Sequence, residues 1–219
     1  MVNSNEVKIA TYNYNLNGAK HKHKLVSVLA QAKSGGIHIL FLQEIHHYGD
    51  GWHLRAPKVA RYQGWEWHHS PASRGDPESG VAIAIRMERK DIVVDSAVVA
   101  ISGRLIILKV TIGTETASLA SIYLNAQLSK RQEEIQLMHA SADITPRTIL
   151  AGDFNCVENV SRDTKSKQGA GPYNNIGGRP LARALAAHGL TDIQITVHPR
   201  LSGVYTRCGH QTHTRIDRI

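Results

Sequence analysis

The sequence predicts a mixed α/β layered fold. Apolar, β-branched runs recur at residues 7–13, 37–43, 80–85, 92–101, 105–112, 117–123 and 148–151, each bounded by Gly, Asn or charged residues. Helical patterns separate some of them. Between about residues 83 and 123, strand follows strand with no room for a crossover helix. That argues for antiparallel pairing there and against a doubly wound parallel sheet.

Taken in order, the first run leads into a polar tip, Thr11-Tyr12-Asn13-Tyr14-Asn15-Leu16-Asn17-Gly18. Residues 22–33 follow as an amphipathic helix with Leu25, Val28, Leu29 and Ala32 on one face. The second run, Ile39-Leu40-Phe41-Leu42-Gln43-Glu44, buries an apolar stretch and then presents a carboxylate. A second helix is expected over 129–142 with Ser129 as its N-cap, and a third over 181–188, stopped by Gly189. Two polar, Gly-rich loops, 70–79 and 160–178, are long enough to suggest function. No internal repeat or linker divides the chain, so one domain over residues 1–219 is expected.

A chain of 219 residues with 42% hydrophobic content can bury a sizeable core. No segment approaches the roughly 20 apolar residues needed to span a bilayer, and the polar start Met1-Val2-Asn3-Ser4 lacks a signal-peptide pattern. Two cysteines, Cys156 and Cys208, make no disulfide framework, so an intracellular setting is the default expectation. Lys and Arg number 26 against 18 Asp and Glu, a net +8 that favours polyanionic partners such as nucleic acid. The 13 His are scattered, and the pairs His46-His47 and His68-His69 lack Cys at zinc-finger spacing, so no structural zinc is expected.

The densest chemistry sits in Gly152-Asp153-Phe154-Asn155, directly after the apolar run 148–151. Residues two apart on an extended strand point the same way, so Asp153 and Asn155 are expected to face one reacting group, with Gly152 permitting close approach of backbone or ligand. Asn13, Glu44 and the Ser121-Ile122-Tyr123-Leu124-Asn125 end add further carboxylate, amide and phenol groups at strand tips. Oxygen ligands of this kind suit Mg²⁺, which keeps several waters and uses one or two protein carboxylates. Taken singly, Glu44 reads as a solvated edge residue, Tyr123 as a sheet aromatic, the asparagines as a turn and Asp163 as loop surface. Their joint order carries the signal.

That order resembles the endonuclease/exonuclease/phosphatase superfamily, with most similarity to the apurinic-type endonuclease domain of non-LTR (LINE-type) retrotransposons. The quoted elements are Thr-Tyr-Asn…Asn-Gly, Leu-Gln-Glu-Ile, Ser79-Gly-Val-Ala-Ile-Ala84, Ile-Tyr, Gly-Asp-Phe-Asn-Cys-Val followed by Arg162-Asp163, and Arg215-Ile216-Asp217-Arg218-Ile219. The resemblance implies a four-layered α/β sandwich of two mixed, largely antiparallel sheets flanked by helices. It further implies that Glu44, assisted by Asn13, binds Mg²⁺ or Mn²⁺ in its place. By the same resemblance Asp153 prepares the attacking water, Asn155 holds the scissile phosphate, Tyr123 contacts the phosphate or developing charge, and Asp217 orients a histidine. Asn15 matches the second polar position of the opening motif, and the choice among Asn13, Asn15 and Asn17 stays open. The usual Tyr-x-Pro-Asn element is shortened, leaving Asn125 and Gln127 as alternatives for a neighbouring phosphate contact.

Family members continue to a Ser-Asp-His element, whereas this sequence stops at Ile219; His210 and His213 precede Asp217 in an expected hairpin. The expected activity is Mg²⁺-dependent nicking of DNA that leaves a 3′-hydroxyl, of retrotransposon type, nuclear when acting on genomic DNA. Lys20, Lys22, Lys24, Arg74, Lys165 and Lys167 are the expected DNA contacts. The partner is DNA rather than a membrane, and the chain is expected as a monomer or as part of a longer polyprotein. The alternatives are a catalytically inactive DNA-binding remnant and a phosphatase of the same fold acting on another phosphate ester.

Overall fold

Two sheets stack face to face, and helices cover both outer surfaces in a computed structural model that describes residues 6–14, 21–46, 51–166, 177–197, 206–208 and 212–219. The first sheet contains β1 (Ile9–Asn13), β2 (Ile39–Gln43), β3 (Trp65–Ser70) and β4 (Val81–Arg86) in the order β1-β2-β4-β3. Only β1 and β2 run parallel in it. The second sheet contains β5 (Ile92–Ile101), β6 (Leu105–Ile112), β7 (Glu115–Tyr123), β8 (Thr148–Asp153) and β12 (Asp217–Arg218) in the order β12-β8-β7-β6-β5. Its one parallel pair is β7–β8. A short ribbon of β9 (Thr164–Ser166), β10 (Arg207–Cys208) and β11 (Thr212–Thr214) lies beside them. The expected architecture, two mixed and largely antiparallel sheets in a four-layered sandwich, is the one found.

The central strands show why this stacking forms. Along β2 every residue is buried. Ile39 and Phe41 point into the space between the sheets, against residues such as Leu108 and Leu119. Leu40 and Leu42 point the other way, into a core with Leu25, Leu29, Ala56 and Ala60. A strand buried on both faces loses the usual polar alternation and reads as a continuous apolar run. Each fully buried Leu, Ile or Phe contributes about 1.5–3 kcal/mol by leaving water. Helices α1 (His21–Ser34) and α2 (Trp52–Tyr62) thus form one outer layer. Helices α3 (Leu128–Ala140) and α5 (Gly178–Ala187) form the other, through Ile135, Met138, Leu181 and Ala184.

Several local expectations are corrected. Helix α2 is not among the expected elements; Pro57 inside it opposes a helix locally, and burial of Ala56 and Ala60 outweighs the missing backbone hydrogen bond. Strand β3 is not among them either, although Trp65 and Trp67 alternate with Glu66 in a strand pattern. Helix α3 begins at Leu128 with Gln127 as a cap that makes no side-chain bond, so Ser129 lies inside the first turn and is not the N-cap.

The segment 160–178 is not a featureless loop at its start. It holds α4 (Val160–Asp163) and β9, and Asp163 is buried at 1% exposure rather than on the surface. Its Oδ1 accepts from Arg162 Nε at 2.8 Å and Arg215 Nη2 at 2.9 Å, while Oδ2 accepts from the Asn159 backbone N–H at 3.0 Å. Arg215 also donates to Asp192 Oδ2 at 2.7 Å, beside α6 (Ile193–Val197). Burial alone would raise the Asp163 pKa, but the bonds from Arg162, Asn159 and Arg215 outweigh it and lower it to about 2.

Gly152, in the last turn of β8's pairing, has φ 152°. A Cβ there would lie 1.9 Å from the Ile122 carbonyl oxygen of β7, so the close approach it permits is that of a neighbouring strand.

Two outcomes follow from these contacts. Gly152→Ala should lower unfolding stability in a denaturant melt by at least about 2 kcal/mol, because backbone must move; Gly75→Ala, with nothing within 4 Å, should stay within about 0.5 kcal/mol of the parent. Asp163→Asn should cost up to about 3–5 kcal/mol at neutral pH, because buried Arg215 loses one of its two carboxylate partners and keeps only Asp192. Because the folded state holds Asp163 ionised more strongly than the unfolded chain does, this contribution is fully present above the unfolded value near 3.9. It is lost as pH falls through about 2, so the difference between parent and variant melts should shrink on acidification.

Candidate active site at the strand tips

The carboxyl-terminal ends of β1, β2, β7 and β8 converge, and β12 reaches the same place from the opposite direction. Asn13 closes β1, Glu44 follows β2, Tyr123 closes β7 and Asp153 closes β8. Asn13 Nδ2 donates to Glu44 Oε1 at 2.8 Å and to Asp153 Oδ2 at 3.1 Å, so one amide links a carboxylate from each sheet. With a carboxylate on both sides, the amide nitrogen must face them, and Oδ1 is the acceptor atom of the pair.

Glu44 is mostly buried, its side chain 16% exposed. Burial alone would raise its pKa, but the neighbouring His46 ring and the hydrogen bonds from Asn13 and Tyr123 outweigh that and hold it below the usual carboxylate range. His46 Nε2 lies 3.6 Å from Glu44 Oε2. Tyr123 is buried, and its hydroxyl donates to Glu44. Burial, then the Glu44 charge and this bond, push the phenol pKa well up, so the hydroxyl keeps its proton at neutral pH.

Asp153 behaves oppositely. It is 3% exposed, and it stands directly across β8–β12 from Asp217. Burial first, then the Asp217 charge, push its pKa up to about 7, against the opposing bonds from Asn155 and Asn13. Two like charges this close titrate as a pair.

Asp153 and Asn155 do meet, but not by strand alternation. Asn155 has left the strand with φ 48°, and Asp153 Oδ1 accepts its backbone N–H at 2.8 Å in an Asx-type turn. The Asn155 amide donates to the Leu124 carbonyl at 2.7 Å. Among the described residues, the non-glycine positions with positive φ are Glu44, His46 and Asn155, all at this site. Such backbone persists only where its surroundings overdetermine it. Here Ile45 N–H and His46 N–H are held by the Gly80 and Ser79 carbonyls at 3.1 and 3.0 Å.

Behind the tips, the fully buried Gln43 donates to Ser121 Oγ at 3.3 Å, and Ser121 donates to the Leu42 carbonyl at 3.2 Å, a polar stitch between the sheets. Arg104, invisible in the sequence because a lone Arg beginning a strand reads as solvated, lies over the Tyr123 ring at 4.5 Å. It also donates to Asp76 Oδ2 at 2.9 Å. That ion pair ties the 70–79 loop, and with it the exposed Arg74, to the tyrosine. The proximity of His46 to Glu44 follows from the tight turn after β2 rather than from any sequence pattern.

The remaining expected residues divide. Asn125 is turned into its own loop, where Oδ1 accepts the Gln127 N–H at 2.8 Å and its backbone N–H donates to Glu134 Oε2 at 2.6 Å; Gln127 is exposed. Lys24 lies over the Tyr14 ring at 5.2 Å, and Lys165 is exposed on β9. His213 is on β11, paired with Lys165. Asn15, Asn17, Lys20, Lys167 and His210 lie outside the described residues, as does the side chain of Lys22. An open cleft of ≈ 520 Å³, lined in part by Tyr12, Asn13, Gln194, Thr206 and Asp217, adjoins the cluster.

The donor set fits a hard divalent cation. Among the described residues no group of three or more His, Cys, Asp or Glu forms a ligand cage. An ionised Glu44 with the Asn13 amide oxygen is the sparse oxygen set that Mg²⁺ accepts when water and substrate supply the rest.

Solved structures share this fold. An AP endonuclease from Archaeoglobus fulgidus matches with a TM-score of 0.69 and 21% identity, over 97% of this chain and 85% of that one. The endonuclease domain of TRAS1, a telomere-specific non-LTR retrotransposon, matches with a TM-score of 0.63 and 15% identity, over 97% of this chain and 82% of that one. D. rerio TDP2 complexed with single strand DNA product matches with a TM-score of 0.60 and 14% identity, over 97% and 82%. No curated protein sequence matches the chain. A family model described as the Endonuclease/Exonuclease/phosphatase family matches residues 12–219, and the chain belongs to that family.

Proposed function

We propose that this protein is a Mg²⁺-dependent phosphodiesterase that nicks DNA and leaves a 3′-hydroxyl. The observation that carries the reading is the Asn13 clasp between two carboxylates of opposite character. Glu44 is held ionised, whereas the Asp153 pKa is raised toward neutrality. Neighbouring titratable groups whose environments push their pKa values apart mark a division of labour, one as ligand and one as base. The finer assignment to a retrotransposon-type enzyme is supported by the shared fold with the TRAS1 domain, and DNA as partner by the net +8.

A divalent cation at Glu44 and Asn13 would supply Lewis-acid polarisation of a phosphoryl oxygen and charge stabilisation at the leaving 3′ oxygen. Asp153 takes the proton of the attacking water, a task suited to a carboxylate that titrates near the working pH. Asn13 holds both carboxylates in register for that transfer. Tyr123, protonated and stacked beneath Arg104, offers a hydroxyl donor whose partner is Glu44 before substrate arrives. Asn155, fixed by Asp153 and Leu124, borders the same point. Asp217 acts through Asp153 by raising its pKa.

The first test is nicking of supercoiled plasmid in Mg²⁺. The wild-type chain should nick, and Glu44→Ala and Asp153→Ala should each lose about 10²-fold or more. Undiminished nicking in either variant, or hydrolysis of a phosphate monoester or lipid phosphate in preference to plasmid, would overturn the reading.

The second test uses pH. Nicking should rise with pH as the Asp153–Asp217 pair loses its shared proton around 7, and Asp217→Asn should move that rise to lower pH by removing the like charge. The raised folded pKa contributes stability that is fully present below the unfolded value near 4 and is lost as pH rises through about 7. Melts of Asp153→Asn in chelator should therefore exceed the parent at pH 8 and approach it at pH 4.

A further inference from the structure

The charge surplus of this chain is concentrated in one of its four layers. Helices α1 and α2 together contain six Lys and Arg and no Asp or Glu, within a whole-chain excess of eight. The helix α3 of the opposite layer mixes Lys130 and Arg131 with Glu133 and Glu134. The two basic helices pack against each other. Each begins shortly after a site strand, α1 after the tip of β1 and α2 after the tip of β2. They therefore lead away from the candidate active site along one flank.

On α2 the partition is sharp. Ala56, Val59 and Ala60 face the core. Arg55, Lys58 and Arg61 are exposed, and none of them forms an ion pair among the described residues. Three residues apart on a helix, they rise about 4.5 Å per step along a single stripe. Unneutralised, regularly spaced cations match a polyanion whose charges repeat along its own axis, as on a DNA backbone. An anionic membrane would call for a contiguous apolar stripe beside the cations. The large exposed apolar residues here, Leu54 and Tyr62, instead stand at opposite ends of the helix.

We infer that Arg55, Lys58 and Arg61 of α2 form a second contact surface for duplex DNA, gripping phosphates of the segment that extends beyond the cleaved bond. This rests on the proposed nuclease reading for its substrate, and deepens it by assigning a flank that no motif contains. The grip is sequence-independent and acts on affinity and salt dependence, not on chemistry at the phosphate.

The test is binding of fluorescent 12-bp and 40-bp duplexes in EDTA across 50–300 mM salt, with plasmid nicking in Mg²⁺ run in parallel. The variant Arg55→Gln/Lys58→Gln/Arg61→Gln is compared with Lys130→Gln/Arg179→Gln/Arg183→Gln, which removes equal charge from exposed positions of the other layer. Thermal melts confirm that both variants fold. The α2 variant should bind the 40-bp duplex at least about tenfold more weakly near 0.15 M salt, with the slope of log K against log salt flattened by about 2 to 3. It should bind the 12-bp duplex nearly as the parent does. The control variant should keep the parent's slope.

Equal losses in both variants would mean net charge alone acts and would overturn the proposal, as would parental binding by the α2 variant. Loss of binding to phosphatidylserine vesicles without loss on the 40-bp duplex would reassign the surface to a membrane and equally overturn it. A parent that fails to nick plasmid, while the α2 variant still loses long-duplex affinity, would sink the nuclease reading and leave this surface standing.

Discussion

The site depends on one amide. Asn13 sits at the end of a strand in one sheet and donates to Glu44 beside it and to Asp153 in the other sheet, 140 residues away in sequence. Those two bonds have useful length only while the sheets keep their stacking and each strand keeps its register. A slip of β1 by a single residue would turn Asn13 to the opposite face and point Tyr12 or Tyr14 at the carboxylates. The inter-sheet core of Phe41, Ile83, Leu108 and Leu119, with the buried Gln43–Ser121 stitch, is therefore what sets the geometry of the polar groups above it.

Electrostatics then separates groups that would otherwise behave alike. Glu44 and Asp153 are both buried carboxyl groups within reach of the same amide. Glu44 collects donors from Asn13 and Tyr123, lies beside His46, and stays ionised. Asp153 faces Asp217 and retains its proton to higher pH. The third buried carboxylate nearby, Asp163, is pinned by two arginines and serves the fold. Arg215 and Asp217 share one short segment but divide between these tasks: Arg215 locks that segment to Asp163, which in turn presents Asp217 opposite Asp153.

Charge at longer range follows the layers. The helices over the four-stranded sheet carry cations without compensating acids, while α3 on the far side is internally balanced. A soluble domain needs neither arrangement for stability, since exposed charges contribute little to folding. The asymmetry matters for what approaches the protein and from which side.

The sequence by itself determined a mixed α/β layered class from its apolar runs, and the order of its motifs, through the family it resembles, implied the two-sheet sandwich. It also placed Asn13, Glu44, Tyr123 and Asp153 at strand tips, since each polar group directly ends an apolar run, while Asp217 was implied by the motif order alone. Only the tertiary structure decided which of them touch. Contacts among residues separated by up to 140 positions depend on strand order and sheet stacking, which local pattern does not encode. The same holds for Arg104 over Tyr123, for the burial of Asp163, and for α2, whose proline is tolerated because the neighbouring alanines pack. It holds too for Asp153 and Asn155, which meet through a turn that departs from strand geometry. In each case burial and long-range partners, both properties of the folded chain, outweighed the local preference that a sequence displays.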